Sequence, residues 1–262
     1  MDYKDLFSVK GMNAVVIGAA SGIGRSISEM FVSLGGKVIA SDVNEEELNK
    51  LINELSSKGY EIKGIKADIT KVEDVRDKLL PFILSNFKKI DALFITPAIN
   101  ARKSIENYTY EEFDRVINVN LKGPFIVLKE FLKFMKDGGS VVLFSSIRSI
   151  VVEPGQSAYS ASKAGIVQLA KVAAAEYGKY NIRVNLIAPG VVDTPFTKQI
   201  KSKPDWYKAY AEKTIFKRWA TPEEIASVAI FLVMPASSYI TGTVIFVDGG
   251  WTAIDGRYEP EV

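Results

Sequence analysis

Residues 15–27 read VVIGAASGIGRSI. Three β-branched residues run into Gly18, Gly22 and Gly24 follow, and a helix-favouring stretch comes next. Glycines at such a turn let the backbone fold tightly and come close to a diphosphate, while free N–H groups at the helix start face its negative charge. Strand–helix turns also use glycine for purely structural reasons, so the context decides: strand before, helix after, near the N-terminus. The next apolar run ends in IASDV, which puts Asp42 eighteen residues beyond Gly24. An acid there accepts hydrogen bonds from both adenosine ribose hydroxyls and repels a 2′-phosphate, favouring NAD over NADP. Asp42 is also placed to cap a helix expected from about Asn44.

Outward from this stretch, short apolar runs alternate with longer amphipathic ones. Ala14–Ile17, Val38–Ala40, Ile62–Ile65, Ala92–Ile95, Val141–Phe144, Val184–Ile187 and Val244–Val247 read as buried strands. Helices are expected over 22–34, 45–57, 72–86, 111–136 and 157–178, with one or two more between Val192 and Met234. This alternation predicts an α/β fold, a Rossmann-like doubly wound parallel sheet of seven strands with helices on both faces. No linker, repeat or low-complexity tract interrupts it, so residues 1–262 read as one domain. Pro189-Gly190 and Asp193–Lys203 read as loop over a site, and residues 191–216 as a substrate lid. The lid's aromatic residues, Phe196, Trp206, Tyr207, Tyr210 and Phe216, fit either a small core of its own or a hydrophobic substrate wall. AGIVQLAKVAAA, residues 164–175, is apolar nearly all the way round. Such a helix is usually covered on two sides, which favours a homo-oligomer, tetramer or dimer, over burial within one chain.

Composition removes whole classes of chemistry. The 262 residues contain no cysteine and no histidine, which excludes disulfides, thiol catalysis and histidine triads and argues against zinc. A formal charge of +2 is too small to make nucleic acid or an anionic membrane the main partner. No run approaches the roughly 20 apolar residues that span a bilayer, and MDYKDLFSVKG lacks the apolar core of a secretory signal; a cytoplasmic enzyme is expected.

Proton chemistry without histidine then falls on QSAYSASKAG, residues 156–165, where Tyr159 and Lys163 stand four apart. That spacing puts both on one helix face. An ammonium beside a phenol lowers its pKa from about 10 toward neutrality, and a positively charged nicotinamide would lower it further. A tyrosine so tuned serves as general acid or base. The small residues around the pair leave room for a ligand.

Several motifs in order now identify a resemblance, from about Val9 to Ala253, to the short-chain dehydrogenase/reductase family. They are the Gly18–Gly24 loop, Ala67-Asp68-Ile69, Asn118-Val119-Asn120-Leu121, Phe144-Ser145-Ser146, Tyr159 with Lys163, Ala188-Pro189-Gly190 with Thr194, and Tyr239–Gly242 leading to Val247–Gly250. The resemblance implies hydride transfer between a nicotinamide and a secondary alcohol or ketone, with Tyr159 as acid/base on the substrate oxygen. It implies that Lys163 holds the nicotinamide ribose and lowers the Tyr159 pKa, that Ser146 positions the substrate oxygen, and that Asn120 holds a water linking Lys163 to solvent. Asp68 and Ile69 would contact the adenine, Ile23 the diphosphate, and Val192 and Thr194 the carboxamide. Ser21, Val43, Thr96, Ala98, Pro189 and Gly190 complete the expected cofactor set with Gly18, Gly22, Gly24 and Asp42. Two departures stand out: Ile17 where the family has threonine, and Ile95-Thr96-Pro97-Ala98 where it has Asn-Asn-Ala-Gly. Polar groups have become apolar in both segments, so packing is expected to replace a hydrogen-bonded contact between them.

Substrate residues are harder to read. Arg148 follows Ser146 by two, and Arg102 follows the fourth strand. Grouped at strand ends, they suggest a polyol, sugar or sugar acid, with Ser146 and Tyr159 at the reacting end. A bulky ketone, a 3-oxoacyl thioester, or a non-catalytic NAD-binding regulator are the alternatives. Residues 255–262 run past the family's usual end and would reach a neighbouring subunit.

Overall fold

Val15 and Ile17 turn to one side of their strand, Ala14 and Val16 to the other, and both sides are dry. The period of two that separates them is the strand's own geometry, and burial on both faces marks a central parallel strand. The computed structural model describes residues 3–135 and 138–254. Its seven strands are β1 Asn13–Ile17, β2 Lys37–Asp42, β3 Ile62–Lys66, β4 Ala92–Ile95, β5 Gly139–Phe144, β6 Ile182–Pro189 and β7 Val244–Val247. They form one parallel sheet in the order β3-β2-β1-β4-β5-β6-β7. The chain reverses its direction of travel between β1 and β4, and a doubly wound sheet opens a crevice at that point.

The helices are α1 Tyr3–Leu6, α2 Gly22–Ser33, α3 Glu45–Ser57, α4 Leu80–Asn86, α5 Tyr110–Ile117, α6 Gly123–Phe131, α7 Ser157–Tyr177, α8 Lys198–Lys201, α9 Pro204–Glu212 and α10 Pro222–Phe231. α4, α6 and α7 cover the Val15 face; α2, α3 and α10 cover the Val16 face. Phe31 of α2 meets Phe94 of β4 edge-on at 6.1 Å, both fully buried, and truncating either would cost about 3–5 kcal/mol.

Two expectations are corrected. The helix expected over 111–136 is broken by a π turn at Asn118–Lys122, where one extra residue per turn lets Asn120 face inward between α5 and α6. Asp193–Lys203 is not plain loop: a 3-10 turn at Pro195–Thr197 and α8 occupy most of it, and α9 follows. Of the two readings left open for the aromatics of residues 191–216, Trp206, Tyr207 and Tyr210 follow the first, a small core of their own. Tyr207 stacks on Trp219 at 4.7 Å, and Tyr210, Ile200 and Val191 close around them. One strip of α7 stays uncovered among the described residues: Val172 is 53% exposed, and Ala164, Lys171 and Ala175 lie beside it. No helix among the described residues is long and apolar enough to cross a membrane. The expectation for residues 255–262 lies outside the described residues.

Candidate active site

The C-terminal ends of the strands surround a cleft of about 950 Å³. β1 contributes the loop that holds Gly18, Ser21, Gly22, Ile23 and Gly24. Gly18 has φ +81°, and a side chain there would strike the Thr96 hydroxyl at 2.4 Å; one on Gly24 would strike the Gly18 carbonyl at 2.1 Å. The loop keeps its shape because these two positions are bare. Ser21, the N-cap of α2, makes no side-chain cap bond, so the helix N-terminus is not closed by its own side chain.

Asp42 and Val43 at the end of β2, and Asp68 and Ile69 after β3, line the far end of the cleft. The Asp42 carboxylate accepts from Ala20 N–H at 3.0 Å and from Asn44 N–H at 2.9 Å. It therefore braces the glycine loop. The cap of α3 is Asn44, whose side chain accepts from Glu47 N–H, not Asp42. Asp68 accepts from the Thr70 N–H and hydroxyl, closing the turn after β3.

Thr96 and Ala98, after β4, stand beside the glycine loop, with the Pro97 ring between them facing the cleft. Thr96 Oγ1 donates to the Ile17 carbonyl at 2.9 Å and lies 3.1 Å from that of Gly18. The expectation that packing replaced polarity here is thus half right. Ile17 packs in the core, while Thr96 keeps a hydrogen-bonded tie by reaching backbone carbonyls. Pro189, Gly190, Val192 and Thr194, from the end of β6 onward, form the opposite wall.

The near end of the cleft holds Ser146, Tyr159 and Lys163. Lys163 is 2% exposed; its Nζ donates to the Phe144 carbonyl at 2.7 Å and lies 5.7 Å from the Tyr159 ring centre. Ser145 Oγ donates to the Lys163 carbonyl at 2.7 Å, tying α7 to the end of β5. Phe196 of the 3-10 turn Pro195–Thr197 faces the Tyr159 ring at 6.0 Å. Burial dominates the electrostatics here. It pushes the Tyr159 phenol up, against a hydrogen bond from Ser146 and the positive charges of Arg148 and Arg102, which pull it down. Burial also lowers the Lys163 ammonium to about 7. The expected lowering of the phenol by Lys163 is corrected: burial leaves the phenol raised, the groups that oppose this are Ser146 and the two arginines, and a lysine this deep is itself disfavoured as a cation.

Three expected site residues do not line the cleft. Asn120 is fully buried; its amide donates to the Ile99 carbonyl (2.9 Å) and Ser162 Oγ (3.1 Å), and its oxygen accepts from Ile99 N–H (2.8 Å). Both its donors are spent on protein, so its side chain braces the loop after β4 instead of donating to a water. Arg148 and Arg102 pair with Glu153 at 3.0 and 3.2 Å, so their grouping, read as a substrate grip, is held together by a carboxylate of this chain. Val119, quoted in a motif, and Phe196, one of the aromatics of residues 191–216, also line the cleft; Lys122 of the π turn and Arg115 of α5 do so without any sequence signal. Only the tertiary fold brings α5 and the turn at Pro195–Thr197 to the cleft.

A dinucleotide fits this geometry: an uncapped helix N-terminus behind bare glycines, an acid at one end, and a buried Tyr–Lys pair at the other. A family model described as enoyl-(acyl carrier protein) reductase matches residues 18–252. The 3-oxoacyl-[acyl-carrier-protein] reductase FabG of Thermotoga maritima is 34% identical over 244 residues, 92% of this chain and 98% of that protein. A tropinone reductase homolog of Arabidopsis thaliana is 34% identical over 255 residues, covering 96% of each chain. Among solved structures, a gluconate 5-dehydrogenase from Burkholderia cenocepacia, in complex with NADP and tartrate, superposes with TM-score 0.91 at 26% identity. That match covers 95% of this chain and 98% of the other.

Proposed function

Because the chain belongs to the short-chain dehydrogenase/reductase family of NAD(P)-binding oxidoreductases, we propose that it interconverts a secondary alcohol and a ketone with NAD, its substrate a polyol, sugar or sugar acid. The observation that carries this reading is the meeting of Ser146, Tyr159 and Lys163 at one end of a cleft whose other end is Asp42. The glycine loop and the α2 N-terminus would hold the diphosphate, Asp42 and Val43 the adenosine ribose, Asp68 and Ile69 the adenine, and Lys163 the nicotinamide ribose. When bound, the nicotinamide supplies the hydride donor or acceptor.

Tyr159 takes the proton from the alcohol oxygen in oxidation and returns it to the ketone oxygen in reduction. Ser146 donates a hydrogen bond to that oxygen and fixes the distance across which the proton moves. The Phe196 ring and the lid wall exclude water from the reacting end. Asp42 supports NAD over NADP, although the gluconate 5-dehydrogenase neighbour carries NADP. That neighbour's name supports a sugar-acid substrate. The FabG relative favours a second reading, a 3-oxoacyl thioester reductase. The uncovered strip of α7 supports assembly with further copies of the chain.

The test is absorbance at the nicotinamide band, pairing NAD and NADP with polyols, aldoses, sugar acids and simple secondary alcohols, and the reduced cofactors with matching ketones and 3-oxoacyl thioesters. Turnover with NAD on a hydroxylated substrate is expected. Turnover confined to thioesters would favour the second reading. Silence despite tight NADH binding would point to a regulator without turnover.

A further inference from the structure

Glu153 lies in the loop between Ser146 and Tyr159 and does not line the cleft. Four side chains converge on it. Arg102, from the loop after β4, donates from Nη1 at 3.2 Å; Arg148, from the turn after β5, donates from Nη2 at 3.0 Å. Gln156, one residue before α7, donates its amide to Oε2. The Tyr210 hydroxyl, from α9 of the lid, lies 2.6 and 2.5 Å from the two carboxylate oxygens. Aromatic rings enclose the cluster: Trp206 lies 5.1 Å from the Arg102 guanidinium, and Trp251 5.4 Å from that of Arg148. Arg148 and Tyr210 are each 8% exposed and Gln156 2%, so these bonds work in a low dielectric and losing one is costly.

The topology of this cluster is what gives it a function. Arg148 is two residues from Ser146 and Gln156 three from Tyr159, so Glu153 ties the two groups that meet the substrate oxygen to each other. Tyr210 and the Arg102–Trp206 contact bring in the lid. We propose that Glu153 is a positioning residue: it latches the lid helix α9 onto the segment between Ser146 and Tyr159, and holds Arg102 and Arg148 behind the phenol. The charge-holding half rests on the reading of Tyr159 as acid/base; the latch does not.

The charge balance has a direction. Tyr159 is faced by Lys163 from its own helix, by Ser146 and Arg148 from the turn after β5, by Arg102 from the loop after β4, and by uncharged Phe196 from the lid. Glu153 is the carboxylate that pairs with both arginines. Removing its charge leaves the arginines uncompensated and favours the phenolate.

Tyr210→Phe removes the latch bond and keeps the ring; Glu153→Gln keeps the shape and removes the charge. Amide hydrogen exchange over residues 198–217, NADH affinity, KM against kcat, and the pH profile of alcohol oxidation are measured on the full chain. Tyr210→Phe should speed exchange across α9 and raise KM about tenfold, the loss expected for one hydrogen bond to a carboxylate, with NADH affinity and pH profile unchanged. Glu153→Gln should do the same and also move the rising limb of the profile to lower pH. Arg148→Met should move that limb the other way, and it decides the charge question if Glu153→Gln does not fold. Unchanged exchange across α9 in Tyr210→Phe overturns the latch; an unmoved limb in the folded charge variants overturns the placement of the arginines. If the wild-type chain turns over no substrate, the acid/base reading fails with the charge-holding half that rests on it, while the exchange experiment still decides the latch.

Discussion

Replacing Lys163 with Met should make the protein more stable while removing its activity. The Lys163 ammonium is buried, and its pKa falls from 10.5 to about 7. That difference corresponds to about 5 kcal/mol by which the fold disfavours the charged form. Below pH 7 the whole of this cost is present, because the unfolded chain keeps the proton and the folded chain resists it. Between pH 7 and 10.5 the unfolded state binds more protons, so wild-type stability rises with pH, and above 10.5 the cost is gone. Met is unbranched and similar in length, so it fills the space. It also strands the Phe144 carbonyl that Nζ now bonds, which costs about 1–3 kcal/mol. At pH 6 the variant should therefore be more stable by about 2–4 kcal/mol, or roughly 4–16 °C in melting temperature. Near pH 9.5 the gap should close. Calorimetry of both proteins at pH 6, 7.5 and 9.5 is the assay. A variant that melts at or below wild type at pH 6, or a gap that does not narrow with pH, would refute the reasoning that burial governs this lysine.

Three further outcomes are expected. Tyr159→Phe should lower kcat by at least about a hundredfold and leave NADH affinity, read by fluorescence titration, near wild type; retained turnover would remove Tyr159 as the acid. Asp42→Ala should shrink the NAD-to-NADP ratio of kcat/KM at least about tenfold, and an unchanged ratio would refute its role at the ribose. Because Asp42 also braces Ala20 N–H, the same variant should lose about 1–2 kcal/mol in urea unfolding. Thr96→Val, nearly isosteric, removes the donor to the Ile17 carbonyl and should weaken NAD binding by about tenfold with kcat little changed, as calorimetric titration would show.

Much of this was legible in the sequence because the signals are local. Gly18 and Gly24 announce a turn that admits no side chain, and Asp42 follows at the end of the next apolar run. Tyr159 and Lys163 share a helix face by spacing alone. The misreadings involve partners fixed only by the fold. Arg102 reaches across 51 residues to Glu153, and sequence spacing does not say whether an arginine near a site is free or paired. Asn120 has the same problem: its bonds to Ile99 and Ser162 form across elements 21 and 42 residues away. Residues 193–203 misled because α8 is too short for a clear period, and the aromatics stayed open between two readings because such residues look alike whether they wall a cleft or fill a small core.

The π turn at Asn118–Lys122 sets a phase along its helix. It carries one residue more than the α turn it replaces, so the faces before and after it are offset by about 100°. Deleting any one of these five residues would heal the helix into regular hydrogen bonding with its helical content nearly unchanged. It would also rotate α5 against α6. The Glu111–Arg115 side would swing away from the cleft mouth, and the amide now at position 120 would lose Ile99 and Ser162. Circular dichroism would scarcely distinguish the two proteins, though one of them would have its entrance on the wrong side.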